Sequence, residues 1–405
     1  MKLDRPTRRL HLDPHDPAFV QDPHAAYRRL HAECPSVFWV ELDRWCFFGH
    51  REVDSMLRSR RLGRSLEGVP GVAARPPLLD VDRHSLLELE PPTHTRLRRL
   101  VQGAFVARSI EALRPRIEAL CHQLIDELEA NGSSADLLPA WATPIPVVVI
   151  AELLGVPREQ CDRLLAWSHA MVAVYEVSPS EGQIAAGRAA GDEFGAFLRD
   201  LLARRRQDPR DDLLTHLARA EAEGDRLSEE ELISTCILLL NAGHEATVHA
   251  LGNAVLRLLE QADALATWRR EPQRTAAVVE ELLRFDAPVH LFNRWVLEDQ
   301  VVDDGAGDPV ELPRGAQVAL VLGAANRDPR VFAQPDRIEL ERPKNQHLAF
   351  GAGLHHCLGA PLARLEMQVA LPILWRRLPG LRLDGETRFR DSYPFRGLET
   401  LPVSF

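Results

Sequence analysis

Nothing in the first twenty residues, MKLDRPTRRLHLDPHDPAFV, could enter a membrane: charges alternate with prolines and no apolar stretch reaches signal or anchor length. A soluble, cytoplasmic protein with no membrane partner is the expectation. Cysteine is scarce and scattered. The six residues Cys34, Cys46, Cys121, Cys161, Cys236 and Cys357 contain no CxxC, which argues against a disulfide framework and against a zinc ribbon. Linkers are missing as well, because the 29 prolines are spread out and no Gly/Ser or Gln tract divides the chain. One domain spanning residues 1–405 is therefore expected, although the length alone would admit more. Basic residues are in the minority, 49 against 59 acidic, and the net charge of −10 argues against nucleic acid as a partner. A dinucleotide loop is absent too: in the glycine cluster beginning at Gly351, the third glycine of GxGxxG would fall on His356.

What the chain does contain is material for a large core, with 45% hydrophobic and 27% charged residues. Helical periodicity dominates. In residues 109–129 the apolar side chains Ile110, Leu113, Ile117, Leu120, Leu124 and Leu128 recur at steps of three and four, which predicts one amphipathic helix. Strand-like runs are short, at 37–40, 45–48, 293–297 and 317–322. The fold class read from this pattern is mainly α with a small β region. Residues 63–92 are too rich in Gly and Pro for regular structure and too long for a passive connection, so this loop is expected to cover a site. Residues 228–260 form one long helical pattern opened by the capping box Ser228-x-x-Glu231. At ~1.5 Å per residue such a helix runs about 50 Å, enough to cross a domain. Its middle, Asn241-Ala-Gly-His-Glu-Ala-Thr247, puts a glycine and a carboxylate where a buried helix wants neither.

Near the C-terminus the chain reads HLAFGAGLHHCLGAPLAR. Cys357 stands just before a helix expected to begin near Leu358, where free N–H groups favour a thiolate, and the glycines let backbone pass close beneath a flat group. Taken alone, such a cysteine is far more often a buried structural thiol than a ligand. A zinc site made of His355, His356 and Cys357 is disfavoured, since adjacent residues do not easily share one tetrahedral shell. Phe350, Gly351, Gly353, His355, Cys357 and Gly359 fill each position of the FGxGxHxCxG signature, and on these residues the chain resembles the cytochrome P450 family. Three further segments carry the resemblance: Glu281-Leu-Leu-Arg284 as the ExxR pair, PPTHTRLRR with His94 and Arg98 four apart, and LLLNAGHEAT as the AGxET motif.

The resemblance implies the P450 fold, haem b with Cys357 as the iron ligand, and dioxygen as co-substrate. It implies propionate contacts from His94, Arg98, Arg294 and His355, further cofactor contacts from Phe350, Gly351 and Ala242, and a structural network of Glu281 and Arg284 with Arg337 as third member. It also implies Glu245 as the residue that passes protons, with Thr247 as a candidate helper. Here the sequence departs from the family: the alcohol that usually follows the acid is replaced by Ala246, and a shift of one residue turns a helix position by about 100°. Substrate contacts are expected from residues 63–88 and 165–183 and from Ala242, Glu245, Val289, His290, Leu291 and Phe395. The implied reaction inserts one oxygen atom into an apolar or amphipathic small molecule, with electrons from a separate ferredoxin and its NAD(P)H-dependent reductase. Oxidative coupling or desaturation is the alternative, and a non-catalytic haem sensor a remoter one. A fatty-acid peroxygenase is disfavoured because Glu245 is retained.

Overall fold

A computed structural model describes residues 1–405 apart from 220, 223, 224, 306 and 308. The long helix is Glu229–Glu260, closed at its N-terminus by Ser228 and Glu231, each side chain bonded to the other's backbone N–H. It runs through the centre of the helical body, against Pro144–Leu154, Glu181–Gln207, Thr275–Phe285 and Ala360–Arg377. The shared core holds Ile117, Leu124, Val148, Leu240, Val255 and Leu371.

The region expected as one helix over 109–129 is two, Ala107–Glu111 and Arg114–Ala130. Pro115 is the cause: it has no N–H for the Glu111 carbonyl, and its ring crowds that group, so the first helix stops there and Pro115 enters the first turn of the next.

A seven-stranded sheet lies at one side, in the order Lys2–Asp4, Arg9–His11, Ser36–Trp39, Arg44–Phe47, Gln317–Val321, Leu291–Val296, Leu62–Gly63. The four expected strands are present with ends shifted by one or two residues. The edge strands near the N-terminus and at Leu62 are too short to leave a periodic signal. Side chains alternate across the sheet, so Val37, Trp39 and Ala319 pack on one face while Phe47, Val318 and Leu320 pack on the other. Among the described residues, no helix is long and apolar enough to cross a membrane.

Behind the cysteine loop, Glu281 and Arg284 lie three apart on Thr275–Phe285, exposed by only 1% and 0%. Arg284 donates to both Glu281 oxygens at 2.8 Å and to the carbonyls of Asn326, Pro335 and Arg337 at 2.9–3.0 Å. The expected third member is corrected. Arg337 offers only its backbone carbonyl, while its exposed side chain turns to Gln334. The second guanidinium on Glu281 is Arg342, at 3.0 Å, joined by the Asn345 amide at 3.1 Å and the Glu339 N–H at 2.8 Å. One carboxylate thus gathers the helix and the meander that leads to Cys357. Removing it would leave the buried Arg284 without a carboxylate and Arg342 with only Glu339 at 3.5 Å, so Glu281→Ala is expected to cost about 3–5 kcal/mol in urea unfolding. Arg337→Ala keeps the carbonyl and should leave the midpoint almost unchanged. Equal losses in the two variants would refute this division of roles.

Candidate functional site

The cysteine loop is held from three sides. Gly353 has φ +70°, and a Cβ there would stand 2.5 Å from the Leu57 carbonyl, so the loop can rest on helix His50–Arg58 only with glycine. Gly351, at φ +66°, meets nothing within 4 Å, leaving the space above it open. The Cys357 N–H donates to the Phe350 carbonyl at 3.0 Å. Helix Ala360–Arg377 starts two residues later than expected. Burial pushes the free Cys357 thiol up, against the N–H groups of Gly359 and Ala360 and the charges of Arg98 and Arg364, which pull it down. The sulfur therefore sits among groups arranged for an anion that the buried thiol alone does not become.

Beside the loop, helix Thr93–Val101 presents His94 and Arg98. Arg98 donates to the carbonyls of Leu354 at 3.2 Å and His356 at 2.7 Å, which uses part of its fork of five donors and clamps the loop. His94 is fully buried, and neither ring nitrogen has a partner. Burial and the neighbouring His355 and Arg98 charges push His94 down to about 4. The His355 ring lies tilted against it, with centroids 4.5 Å apart, and reaches Glu90 at 3.1 Å. Arg294 lies on strand Leu291–Val296, is 3% exposed, and bonds only to the neighbouring Asn293 carbonyl, with no carboxylate within ion-pair distance among the described residues. Burial and the Arg64 charge push it down to about 9. A buried guanidinium without a carboxylate and a buried imidazole with two empty nitrogens are costly unless an anion joins them.

Across the long helix, every residue from Glu231 to Leu256 is buried except Leu238, Ala242, Gly243 and Ala246. Leu238, Ala242 and Ala246 are spaced by four, so they form one row along the helix, and its two alanines leave that row open. Ala246, at the position of the usual alcohol, belongs to this row. Thr247 is buried, and its hydroxyl donates to the Gly243 carbonyl at 3.2 Å, a bond within the helix.

Glu245 faces four cationic or ionisable groups. Its Oε1 is 3.2 Å from Arg390 and 3.3 Å from His249, and its Oε2 is 3.4 Å from His244 and 3.5 Å from His169. Burial opposes ionisation, but His244 and His249 overcome it and hold the carboxyl well below the usual range. Sequence spacing could have offered His249 four residues on. It could not have offered His169, Arg390, Glu90 or Arg64, which reach the site from separate segments.

Of the residues expected to line a substrate space, Val289 and Phe395 are half-buried and bridge one another. His290 and Leu291 depart from that expectation. His290, just before strand Leu291–Val296, is buried against the Tyr27 hydroxyl at 3.0 Å, and Leu291, the first residue of that strand, packs in the cluster of Trp39 and Phe48. The two covering segments meet where the Tyr175 hydroxyl donates to Asp82 at 2.8 Å.

The fold and this cluster define a haem-thiolate protein, and the chain belongs to the cytochrome P450 family. The family model for cytochrome P450 matches residues 189–379. The chain is 40% identical over 402 residues to cytochrome P450 107B1 of Saccharopolyspora erythraea, covering 96% of each. It is 36% identical over 396 residues to the cytochrome P450 monooxygenase PikC of Streptomyces venezuelae, covering 95% of this chain and 91% of PikC. Among solved structures, cytochrome P450 PksS of the Bacillus subtilis bacillaene polyketide synthase superposes with a TM-score of 0.88 at 35% identity, covering 97% of this chain and 99% of PksS. The protein is accordingly an oxidoreductase of the P450 monooxygenase class, a family that uses haem iron and dioxygen on small molecules with redox partners. The residues present fit that cofactor: an unpaired Arg294 and an unpartnered His94 suit its acid groups, and the open spaces above Gly351 and beside Ala242 suit a flat ring.

Asp82 carries a pH dependence. Burial pushes it up to about 7, against the Tyr175 hydrogen bond. The native fold therefore favours its protonated form, a contribution fully present below the unfolded value near 3.8 and lost as pH rises through about 7. Asp82→Asn mimics the protonated form. Relative to that variant, the wild type should lose up to about 1.4 kcal/mol per pH unit between the two values and nothing further above about 7, read as a Tm difference that is level above pH 7 and changes between pH 5 and 7. A difference constant over this range would count against it.

Proposed function

We propose that the protein is a monooxygenase that binds haem b through Cys357 and inserts one oxygen atom into an apolar or amphipathic small molecule. Electrons come from a separate ferredoxin and its NAD(P)H-dependent reductase, and the whole chain serves as one haem domain. The observation that carries this reading is that buried, anion-seeking His94 and Arg294 both lie beside His355, in the loop that ends on Cys357. Arg98 and His355 would complete the propionate contacts, and Phe350, Gly351 and Ala242 would border the ring. Haem iron supplies dioxygen binding and activation when bound. The chain's own part is to hold the group, keep water from the row Leu238, Ala242 and Ala246, and bring protons inward. Six free cysteines suit a reducing cytoplasm.

Glu245 is the residue proposed to move protons. A carboxyl held ionised is a poor donor by itself, so it works by accepting from the nitrogens around it and passing each proton on through water. Thr247, its hydroxyl engaged with Gly243, has a secondary part at most. Product formed per reductant consumed should fall about 100-fold in Glu245→Ala, with a smaller loss in Thr247→Ala and a gain in Ala246→Thr. Unchanged coupling in Glu245→Ala sinks the assignment.

A second reading has one observation in its favour. With Ala246 rather than an alcohol on the open row, oxidation could proceed as coupling or desaturation without net oxygen insertion. Turnover under isotopically heavy dioxygen separates the two. Label in the product supports the monooxygenase, whereas loss of two hydrogens without label supports the alternative.

A further inference from the structure

The groups around Glu245 divide unevenly between its oxygens. Oε1 is served by Arg390, which donates at 3.2 Å, and by His249. Oε2 faces the Nε2 atoms of His244 at 3.4 Å and His169 at 3.5 Å. The Nδ1 of His244 lies 2.9 Å from the Leu240 carbonyl, which only accepts, so Nδ1 donates there and Nε2 is the nitrogen turned to the carboxylate. An imidazole nitrogen and a carboxylate oxygen facing one another are both ligand atoms that a cation between them can join. A proton on Nε2 would draw the pair to about 2.7–2.9 Å, the length of a charge-assisted bond. The buried Nε2 has no hydrogen-bond partner among the described residues, and the gap to Oε2 leaves room for a larger cation. Metal bonds of about 2.0–2.2 Å at tetrahedral angles put ligand atoms about 3.3 Å apart, close to both separations seen.

We infer that His169, His244 and Glu245 form a site for a divalent transition ion of the Zn2+ type, on the solvent side of the long helix. The three donor atoms lie within 4.8 Å of one another. The backbone bond that fixes the His244 tautomer is the outer-shell support that metal-binding histidines use. Arg390 and His249 orient the carboxylate from its other oxygen without occupying Oε2. His169 comes from helix Cys161–Val172 and its side chain is 53% exposed, so an ion can enter from solvent and leave the fourth position to water. Occupation would engage the carboxylate oxygen next to His169 and withdraw Glu245 from proton traffic. This consequence rests on the proton role proposed above, whereas the site itself does not.

The test is Zn2+ titration calorimetry on the haem-loaded protein, with reductant absent, followed by turnover. One Zn2+ per chain is expected, weakened at least about tenfold in His169→Ala and in His244→Ala. His169→Ala changes a half-exposed ring, so folding is not at stake. The haem absorption band checks the His244 variant. No binding at millimolar Zn2+, or binding unchanged in His169→Ala, overturns the site. In turnover, Zn2+ should lower product per reductant in wild type and not in His169→Ala, each compared with its own metal-free rate. Binding without that effect would keep the site and overturn the proton role of Glu245.

Discussion

The carboxylate of Glu281 is the contact on which the geometry of the cysteine loop depends. It is nearly inaccessible to water, yet it accepts from two guanidiniums, an amide and a backbone N–H. Burying these charges gains little net stability over a well-packed apolar cluster, so the arrangement must be read for what it specifies. Apart from Arg284, on its own helix, these partners are Glu339, Arg342 and Asn345 in the irregular chain after Asn326, a stretch with no ladder to fix its course. Arg284 threads the same region from the other side by donating to three carbonyls. The position of Cys357 is thus set by hydrogen bonds with strong directional demands, while the helical core behind it supplies the stability.

The long helix and the signature loop were legible from sequence because their information is local. Ser228 and Glu231 announce the helix start through mutual side-chain bonds, and glycines at 351 and 353 carry positive φ in the structure. Pro115 was equally local, but the apolar spacing on either side of it masked the break between two helices. The Arg337 assignment failed for a different reason. Both Arg337 and Arg342 lie in loop, where no periodicity says which side chain turns inward, and the pairing with Glu281 crosses 61 residues of chain for Arg342. Leu291 was misplaced because no position of its strand is exposed, so alternation alone does not tell a wall of the site from the core, and His290 because it precedes that strand, where alternation says nothing.

The distal side reverses the logic of the cysteine loop. There the helix that crosses the core must offer small side chains along one face and a charge toward solvent, and the row Leu238, Ala242 and Ala246 meets the first demand at the expense of packing. Glu245 meets the second only because four nitrogens surround it, since burial alone would neutralise it. On the proton role proposed above, that surround has a cost: the more firmly it holds the carboxylate ionised, the less readily Glu245 takes up a proton and releases it inward. His169 and Arg390, both half-exposed, are the two members least held by packing, whereas His244 and His249 are locked in the core. The hold on Glu245 is thus built from a fixed inner pair and an outer pair that solvent can reach.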